Sequence, residues 1–198
     1  DLSCIVYEDE LKRFYPHGNI FSHIIGYTDT DRNGIAGLEK YYDKFLKSNK
    51  QLKLTLDIRI QSILHKILKQ SKDEYNANFA VGIISEVKTG NVIAAVSIPD
   101  FNPNSNNKSD GNSMFNRITY GLYEMGSVFK TFSIASAIDN NIVTKNTNFN
   151  VSNPIKYNSF LIRDEKHIRK PVLTVKEIFA QSSNIGTVQI AKKTGINK

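Results

Sequence analysis

The strongest constraint on the fold is a change of hydrophobic period between residues 57 and 97. Apolar residues first recur at the spacing of one helix face, at Ile60, Ile63, Leu64, Ile67 and Leu68. Asp57 precedes this stripe at the position of an N-cap. Two apolar, β-branched runs follow at 79–87 and 92–97, separated by turn-forming residues. This order predicts a mixed α/β (α+β) fold in which helices pack on a β-hairpin whose strands are covered on both faces.

A change of sequence pattern near residue 51 predicts a domain boundary there. Residues 1–50 are rich in Gly, Asp and aromatic residues and have few long periodic runs, whereas residues 51–198 contain clear helix and strand patterns. Alternating leucines over 52–56 predict a short strand at the start of the second segment. We therefore assign residues 1–50 to one domain and residues 51–198 to another.

Three further helices are predicted after the hairpin. A polar loop at 99–116 leads to a largely buried helix that begins near Ser127 and ends near 140–141. Thr174 and Glu177 have the spacing of a capping box and start a second helix, which ends close to Ser182. A third helix over 185–193 is closed by Gly195 as its C′ residue.

Composition narrows the possible functions of this 198-residue chain. The net charge of +7 is compatible with a polyanionic partner. However, the Lys and Arg residues are scattered and form no basic stripe. We therefore expect a solvated basic surface and no nucleic-acid partner. The single Cys4 excludes an internal disulfide and a Cys-based zinc site. The four histidines lack metal-ligand spacing, and we expect no metal and no cofactor.

A serine and a lysine three residues apart mark the predicted reaction centre. On a helix, Ser127 and Lys130 share a face, so the amine can take the proton of the hydroxyl when burial favours its neutral form. Two other Ser-x-x-Lys pairs lie at the end of a predicted strand and in the Asn-rich loop, at Ser85/Lys88 and Ser105/Lys108. Only the pair at Ser127 opens an apolar helix.

A second polar group stands between the last two predicted helices, at Ser182-Ser183-Asn184. A hydroxyl there can relay a proton and an amide can bind a peptide bond, although Ser and Asn are also ordinary helix-cap residues. Asp164, Glu165 and His167 fit a solvated loop better than a lining of the cleft between the two groups.

Together these segments resemble class B penicillin-binding proteins. Residues 123–130, Tyr-Glu-Met-Gly-Ser-Val-Phe-Lys, are similar to the family's YEPGSxxK block, and residues 181–186 resemble its SSNxG block. Segments 13–16, 23–27 and 37–39 resemble the family's non-catalytic pedestal, and 57–61 and 97–103 resemble the start of its transpeptidase domain. The Asp31–Gly37 stretch and Met125 in place of proline favour the division-specific septal branch.

The resemblance implies an incomplete penicillin-binding-protein/β-lactamase-like transpeptidase fold. Residues 1–50 would be the C-terminal part of the pedestal, or dimerisation-type, domain, and 51–198 the N-terminal part of the transpeptidase domain. It further implies a serine D,D-transpeptidase of septal peptidoglycan that β-lactams inhibit. Its partners would be the D-Ala-D-Ala stem peptide and membrane proteins of the divisome, including a glycosyltransferase. It would act on the periplasmic side of the bacterial inner membrane, held by a single N-terminal anchor outside this chain.

The resemblance also implies a role for each site residue. Ser127 would be the nucleophile, Lys130 its general base and Ser182 a proton shuttle, while Asn184 would bind the donor stem peptide. Residues 193–195 spell the family's third motif, Lys-Thr-Gly, but they follow Asn184 by only nine residues, so we interpret Gly195 as a helix cap.

Without a third motif, we expect a C-terminally truncated fragment that is a poor catalyst or inactive, because an oxyanion donor alone contributes on the order of 10²–10³ in rate. Two alternatives remain open at this point. A serine β-lactamase or β-lactam sensor shares the first two motifs but leaves residues 1–50 unexplained. A non-catalytic interaction module of the division machinery is compatible with all of the motifs.

Overall fold

The computed structural model describes residues 11–105, 110–165, 168 and 170–195. The chain divides into two compact units, Asp1–Leu122 and Tyr123–Lys198. The predicted domain boundary near residue 51 lies inside the first unit and stays a prediction. Cys4, Lys108 and His167, on which parts of the sequence analysis depend, lie outside the described residues.

The first unit begins with short helices joined by tight turns. A 3₁₀ turn at Gly18–Phe21 leads to α1 (Ser22–Ile25), and α2 (Gly37–Tyr41) and α3 (Asp43–Lys47) follow. The backbone at Gly26 is in contact with the backbone of Ala36 and Gly37. A Cβ on Gly26 would lie 1.9 Å from the carbonyl oxygen of Ala36 and 2.8 Å from the backbone nitrogen of Gly37. Both glycines have positive φ, so the two turns require residues without a side chain.

The longest helix packs on a two-stranded antiparallel sheet, as the sequence predicts. Helix α4 (Ile58–Glu74) starts at Asp57, whose carboxylate accepts hydrogen bonds from the backbone N–H groups of Arg59 and Ile60. Strands β1 (Ala80–Ser85) and β2 (Val92–Ile98) form the hairpin. A Cβ on Gly82 would lie 3.0 Å from Leu68, so this glycine lets the apolar stripe of α4 approach β1 closely.

A buried glutamine joins three parts of the first unit. Gln61 has no exposed surface, and its Nε2 donates to the carbonyl oxygens of Ile20, at 2.7 Å, and Ala95, at 2.8 Å. Its Oε1 accepts the Ala95 N–H at 2.8 Å. The amide therefore pairs with the backbone of β2 at Ala95 as a neighbouring strand would. It also links β2 to the 3₁₀ turn before α1.

Two predictions about the hairpin are wrong. Residues 51–57 form no strand, because they contact β2 through only two hydrogen bonds, from the Thr55 hydroxyl to the Val92 carbonyl at 2.6 Å and from the Asp57 N–H to the Ile93 carbonyl at 2.9 Å. The strands are also not covered on both faces. Residues 94–98 of β2 are buried, but Ile83 of β1 is 56% exposed, since α4 reaches only one side of the hairpin.

The polar loop after β2 is held by side-chain hydrogen bonds. Asp110 caps α5 (Gly111–Met114) by accepting the Ser113 N–H at 2.7 Å. Earlier in the loop, Asp100 accepts from His65 of α4 at 2.5 Å and from Asn19 at 3.0 Å. These contacts attach the loop to the helix and to the first turn of the unit.

In the described part of the second unit, four helical segments and four short strands pack around a small apolar core. A 3₁₀ turn (Gly126–Phe129) runs into α6 (Lys130–Asp139), and α7 (Val175–Ala180) and α8 (Asn184–Thr194) lie near its end. Between them, β3 (Asn148–Asn150) pairs with β6 (Val172–Thr174), and β4 (Ile155–Tyr157) pairs with β5 (Phe160–Ile162). The core includes Ile134, Ala137, Val143, Leu173, Ile178, Ile185 and Ile190.

Local signals in this unit have the predicted structures. The capping box at the start of α7 is complete, since Thr174 accepts the Glu177 N–H and Glu177 accepts the Thr174 N–H. Asn141, just beyond the end of α6, has a positive φ. Gly195 follows the last turn of α8 with φ 85°, so the Lys-Thr-Gly sequence is a helix end in this structure.

The predicted burial of α6 is wrong. Ile134 and Ala137 face α7 and α8 and are buried, but Phe129 and Phe132 are exposed, with 66% of Phe132 accessible. No element in the described part of the unit packs over this second face. Among all the described residues of the chain, no helix is both long enough and apolar enough to span a membrane.

Candidate active site

Ser127 lies in the 3₁₀ turn that leads into α6. Gly126, just before it, has φ 55°, a conformation that lets the chain enter the turn sharply. The serine is exposed, and among the described residues no hydrogen bond joins its hydroxyl to Lys130. The two residues are nevertheless three positions apart on a continuous helical path, with Lys130 as the first residue of α6.

Lys130 is bound to the second polar group of the sequence. Its Nζ donates to the carbonyl oxygen of Ser182 at 2.6 Å, to the Ser182 hydroxyl at 2.9 Å and to Oδ1 of Asn184 at 2.6 Å. An ammonium group has three donors and no acceptor, so all three hydrogen-bond donors of Lys130 are used. The structure thus surrounds the lysine amine with three oxygen atoms and brings together three of the four predicted site residues.

Two opposing effects act on the pKa of Lys130. Partial burial disfavours the ammonium and lowers the pKa below the ordinary lysine value, and the nearby Asp164 carboxylate favours the ammonium and works against that fall. Burial has the larger effect, so the net shift is downward. A lower pKa raises the fraction of neutral amine, the form that can accept a proton from a hydroxyl.

The turn between α7 and α8 sets the positions of Ser182 and Asn184. Ser182 has φ 57°, a left-handed conformation that non-glycine residues adopt at a cost of order 1–3 kcal/mol. Ser183 is fully buried and caps α8, with its Oγ accepting the Gly186 N–H at 2.9 Å. Because Ser183 points into the unit, the residues on either side of it, Ser182 and Asn184, can both reach Lys130.

Asn184 uses both ends of its carboxamide. While Oδ1 accepts from Lys130, Nδ2 donates to the carbonyl oxygen of Arg163 at 2.9 Å. The side chain is therefore fixed between the lysine and the segment that follows β5.

Asp164 belongs to this site, so the prediction that it lies with Glu165 and His167 in a solvated loop is wrong for this residue. Its Oδ2 accepts the Ser183 hydroxyl at 2.7 Å and its Oδ1 accepts the Ile185 N–H at 2.9 Å. No spacing rule signals this contact, because 19 residues separate Asp164 from Ser183.

The other Ser-x-x-Lys pairs have different surroundings. Ser85 is the last residue of β1 and Lys88 lies in the turn that follows it, so no helix brings the two together. Ser105 ends a described stretch of the polar loop, and its lysine lies outside the described residues.

Comparison with known proteins identifies the family. Residues 80–198 match the model of the penicillin-binding protein transpeptidase domain, and residues 1–73 match that of the penicillin-binding protein dimerisation domain. Because the first match covers more than half of the chain, the chain belongs to the penicillin-binding protein transpeptidase family.

Relatives and solved structures agree with this assignment. The chain is 32% identical to the probable peptidoglycan D,D-transpeptidase FtsI of Caulobacter vibrioides, with 98% of this chain and 34% of that protein aligned. It is 27% identical to the peptidoglycan D,D-transpeptidase FtsI of Escherichia coli, over 92% of this chain and 35% of that protein. The chain therefore spans about a third of the length of these relatives.

Two solved structures have the same fold. A putative peptidoglycan glycosyltransferase from Atopobium parvulum superposes with a TM-score of 0.72 at 27% identity, covering 88% of this chain and 44% of that one. A peptidoglycan synthetase from Bifidobacterium adolescentis gives a TM-score of 0.76 at 22% identity, covering 98% of this chain and 40% of that one, and supports the fold alone. The expected penicillin-binding-protein fold, incomplete in this chain, is confirmed.

Proposed function

We propose that this chain carries the acylation centre of a serine D,D-transpeptidase that cross-links peptidoglycan stem peptides during septal cell-wall synthesis. The observation that carries the proposal is the convergence of Ser182 and Asn184 on Lys130, one helical turn from Ser127. The names of the relatives, peptidoglycan D,D-transpeptidases, support the same activity.

Each group in the site has one chemical task in this proposal. The Ser127 hydroxyl attacks the carbonyl carbon of the penultimate D-Ala, and the neutral amine of Lys130 takes its proton as the C–O bond forms. The tetrahedral intermediate collapses by breaking the C–N bond, and Lys130 returns the proton through the Ser182 hydroxyl to the departing amine of the terminal D-Ala. An amine of a second stem peptide then attacks the ester, forming the cross-link and releasing Ser127.

Lys130 must lose its extra proton before it can act as a base. Its lowered pKa favours this step, because burial disfavours the ammonium more than Asp164 favours it. Once the amine is neutral, it has one lone pair and two N–H groups, so one of its three present contacts must break or reverse. The Ser182 hydroxyl can reverse, since it is both a donor and an acceptor, and this makes it the natural proton relay.

Asn184 would bind the backbone of the donor stem peptide. Its carboxamide offers the donor and acceptor pair that matches a peptide bond, and its contact with Arg163 keeps the side chain oriented. β-Lactams, whose strained amide resembles the D-Ala-D-Ala bond, would acylate the same serine. We further propose the location and partners that the family resemblance implies, namely the periplasmic side of the inner membrane and divisome membrane proteins that include a glycosyltransferase.

The test is the intact mass of the 198-residue chain after prolonged incubation with excess benzylpenicillin. We expect a slow gain of one penicillin that Ser127→Ala abolishes. Ser85→Ala is the matched control, because Ser85 also begins a Ser-x-x-Lys pair but ends a strand; this variant should acylate like the wild type. If Ser127→Ala still gains the mass, or if Ser85→Ala loses the gain that the wild type shows, the proposal is wrong.

The match of residues 1–73 to a dimerisation domain favours this proposal over a β-lactamase or β-lactam sensor, the alternative that leaves the N-terminal segment unexplained.

A further inference from the structure

The segment after β5 holds three consecutive residues at the start of α8. Asp164 binds Ser183 through its hydroxyl and Ile185 through its backbone N–H. The carbonyl of Arg163, one residue earlier, binds the side chain of Asn184. Every residue from 183 to 185 is therefore attached to the same dipeptide, and Asp164 contributes the two contacts that flank Asn184.

These contacts satisfy groups that the helix itself leaves unpaired. The first N–H groups of a helix have no partner within it, and the N–H of Ile185 is one of them because α8 begins at Asn184. A carboxylate at this place is also favoured by the helix dipole. Ser183 uses its hydroxyl hydrogen for Asp164 and its oxygen for Gly186, so the carboxylate decides how the cap is oriented.

Asp164 is also the charged group that acts on Lys130. The helices α7 and α8, which pack against α6, carry their other charges at distant ends. Lys176 and Glu177 lie in the first turn of α7, and α8 has basic residues only in its last turn. Lys130 contacts the C-terminal end of α7 and the N-terminal end of α8, through Ser182 and Asn184. These described polar neighbours are neutral. The negative charge that acts on Lys130 comes from Asp164.

We propose that Asp164 is a positioning residue of the transpeptidase site, which fixes the Ser182–Asn184 turn against Lys130 and serves as the counterion of its ammonium group. The inference rests on the proposed function for the roles of Lys130 and Asn184. It goes beyond that function because it assigns a residue outside the two sequence motifs to their assembly.

Two consequences separate the charge of Asp164 from its geometry. Removing the charge with Asp164→Asn takes away the effect that supports the ammonium, so the pKa of Lys130 falls further. Lengthening the side chain with Asp164→Glu keeps the charge but displaces the carboxylate by one methylene group. Asn has only one acceptor oxygen, so Asp164→Asn loses one of the two hydrogen bonds that hold the turn. In Asp164→Glu the carboxylate is displaced, and displacements of about 1 Å can cost 10²-fold in rate. Both variants should therefore slow acylation, by about tenfold or more at its pH-independent maximum.

The experiment measures the protonation of Lys130 directly. The full chain is labelled with trace acetic anhydride over a range of pH, and the extent of acetylation at Lys130 is read by peptide mass spectrometry. The midpoint of the profile gives the pKa of Lys130, whereas a change in accessibility alters only its height. The variants are Asp164→Asn, Asp164→Glu and, as the matched control, Glu165→Gln, which removes the neighbouring exposed charge; circular dichroism checks that each is folded.

We expect the Lys130 midpoint to fall in Asp164→Asn and to stay near the wild-type value in the other two variants. The benzylpenicillin acylation rate should fall in both Asp164 variants and not in Glu165→Gln. A midpoint in Asp164→Asn equal to that of the wild type, or an unchanged maximal acylation rate in both Asp164 variants, would overturn the inference. If the wild-type chain is not acylated, the labelling midpoints alone decide whether Asp164 is the counterion of Lys130, and the proposed function is judged separately, from whether any adduct depends on Ser127.

Discussion

Replacing Gln61 by leucine should cost a large part of the stability of the first unit. The side chain is fully buried and makes three hydrogen bonds, two to Ala95 and one to Ile20, at 2.7–2.8 Å. Leucine has a similar size but no polar atoms. The substitution therefore leaves one backbone N–H and two carbonyl oxygens without their partner in the interior.

The structure allows the magnitude to be worked out. Each buried polar group that loses its partner costs about 1–3 kcal/mol, so three groups give roughly 3–9 kcal/mol. Burying the leucine side chain in place of an amide offsets part of this loss, by about 1.5–3 kcal/mol. We expect a net loss of about 4 kcal/mol, which is a large share of the roughly 5–15 kcal/mol that stabilises a typical domain.

Urea unfolding followed by far-ultraviolet circular dichroism measures this loss, because the chain has no tryptophan to report by fluorescence. The matched control is Gln70→Leu, on the same helix but exposed, which should lie within about 0.5 kcal/mol of the wild type. If Gln61→Leu unfolds at the same urea concentration as Gln70→Leu, the argument that the amide completes β2 is refuted.

A second substitution at Gln61 tests the direction of its hydrogen bonds. Gln61→Glu replaces the amide donor with an oxygen that faces two carbonyl oxygens. Burial and these acceptors raise the pKa of the introduced carboxyl in the folded state. Its contribution to stability is then greatest below the unfolded pKa and is lost as pH rises, so the variant should be closest to the wild type near pH 4 and furthest from it at pH 7.

Three further predictions concern the second unit. Gly186→Ala should destabilise this unit by about 1–3 kcal/mol in urea unfolding, because the new Cβ would lie 2.5 Å from the buried Ile178. The control Gly111→Ala should not be destabilised in this way, because no atom lies within 4 Å of its Cβ. Equal effects of the two substitutions would contradict the close packing at Gly186. Hydrogen bonds from Lys170 and the helix cap lower the pKa of Glu177 to about 2. Its stabilising effect should be complete above pH 4–5 and lost as pH falls through about 2. Glu177→Gln should therefore lower the melting temperature at pH 7 and approach the wild type as pH falls to about 2. Burial lowers the pKa of Lys130, so acylation should reach half of its maximal rate below the ordinary lysine pKa, and a midpoint at that value would contradict Lys130 as the base.

Local chemistry was enough to predict several elements of the fold. Asp57 as an N-cap, the capping box at Thr174 and Gly195 as a helix end all depend on residues within one helical turn, and the structure has each of them. The rejection of residues 193–195 as a catalytic motif used this local evidence together with the short spacing from Asn184. Such features are readable because the partners that satisfy one another are neighbours in sequence.

Features that depend on distant partners were not predictable in the same way. The alternating leucines at 52–56 have a strand pattern, but the neighbouring position along β2 is partly filled by Gln61. Phe132 and Ile83 are apolar, yet whether an apolar residue is buried depends on which element packs over it. Asp164 reaches Ser183 across 19 residues, and no periodic pattern connects the two.

The most direct test of the proposed acylation centre is to locate the covalent bond. After incubation with benzylpenicillin, the chain is digested and the modified peptide is sequenced by tandem mass spectrometry. We expect an ester on Ser127 and none on Ser85 or Ser182. An adduct on either of those serines, or an adduct that persists in Ser127→Ala, would contradict the claim that Ser127 is the nucleophile.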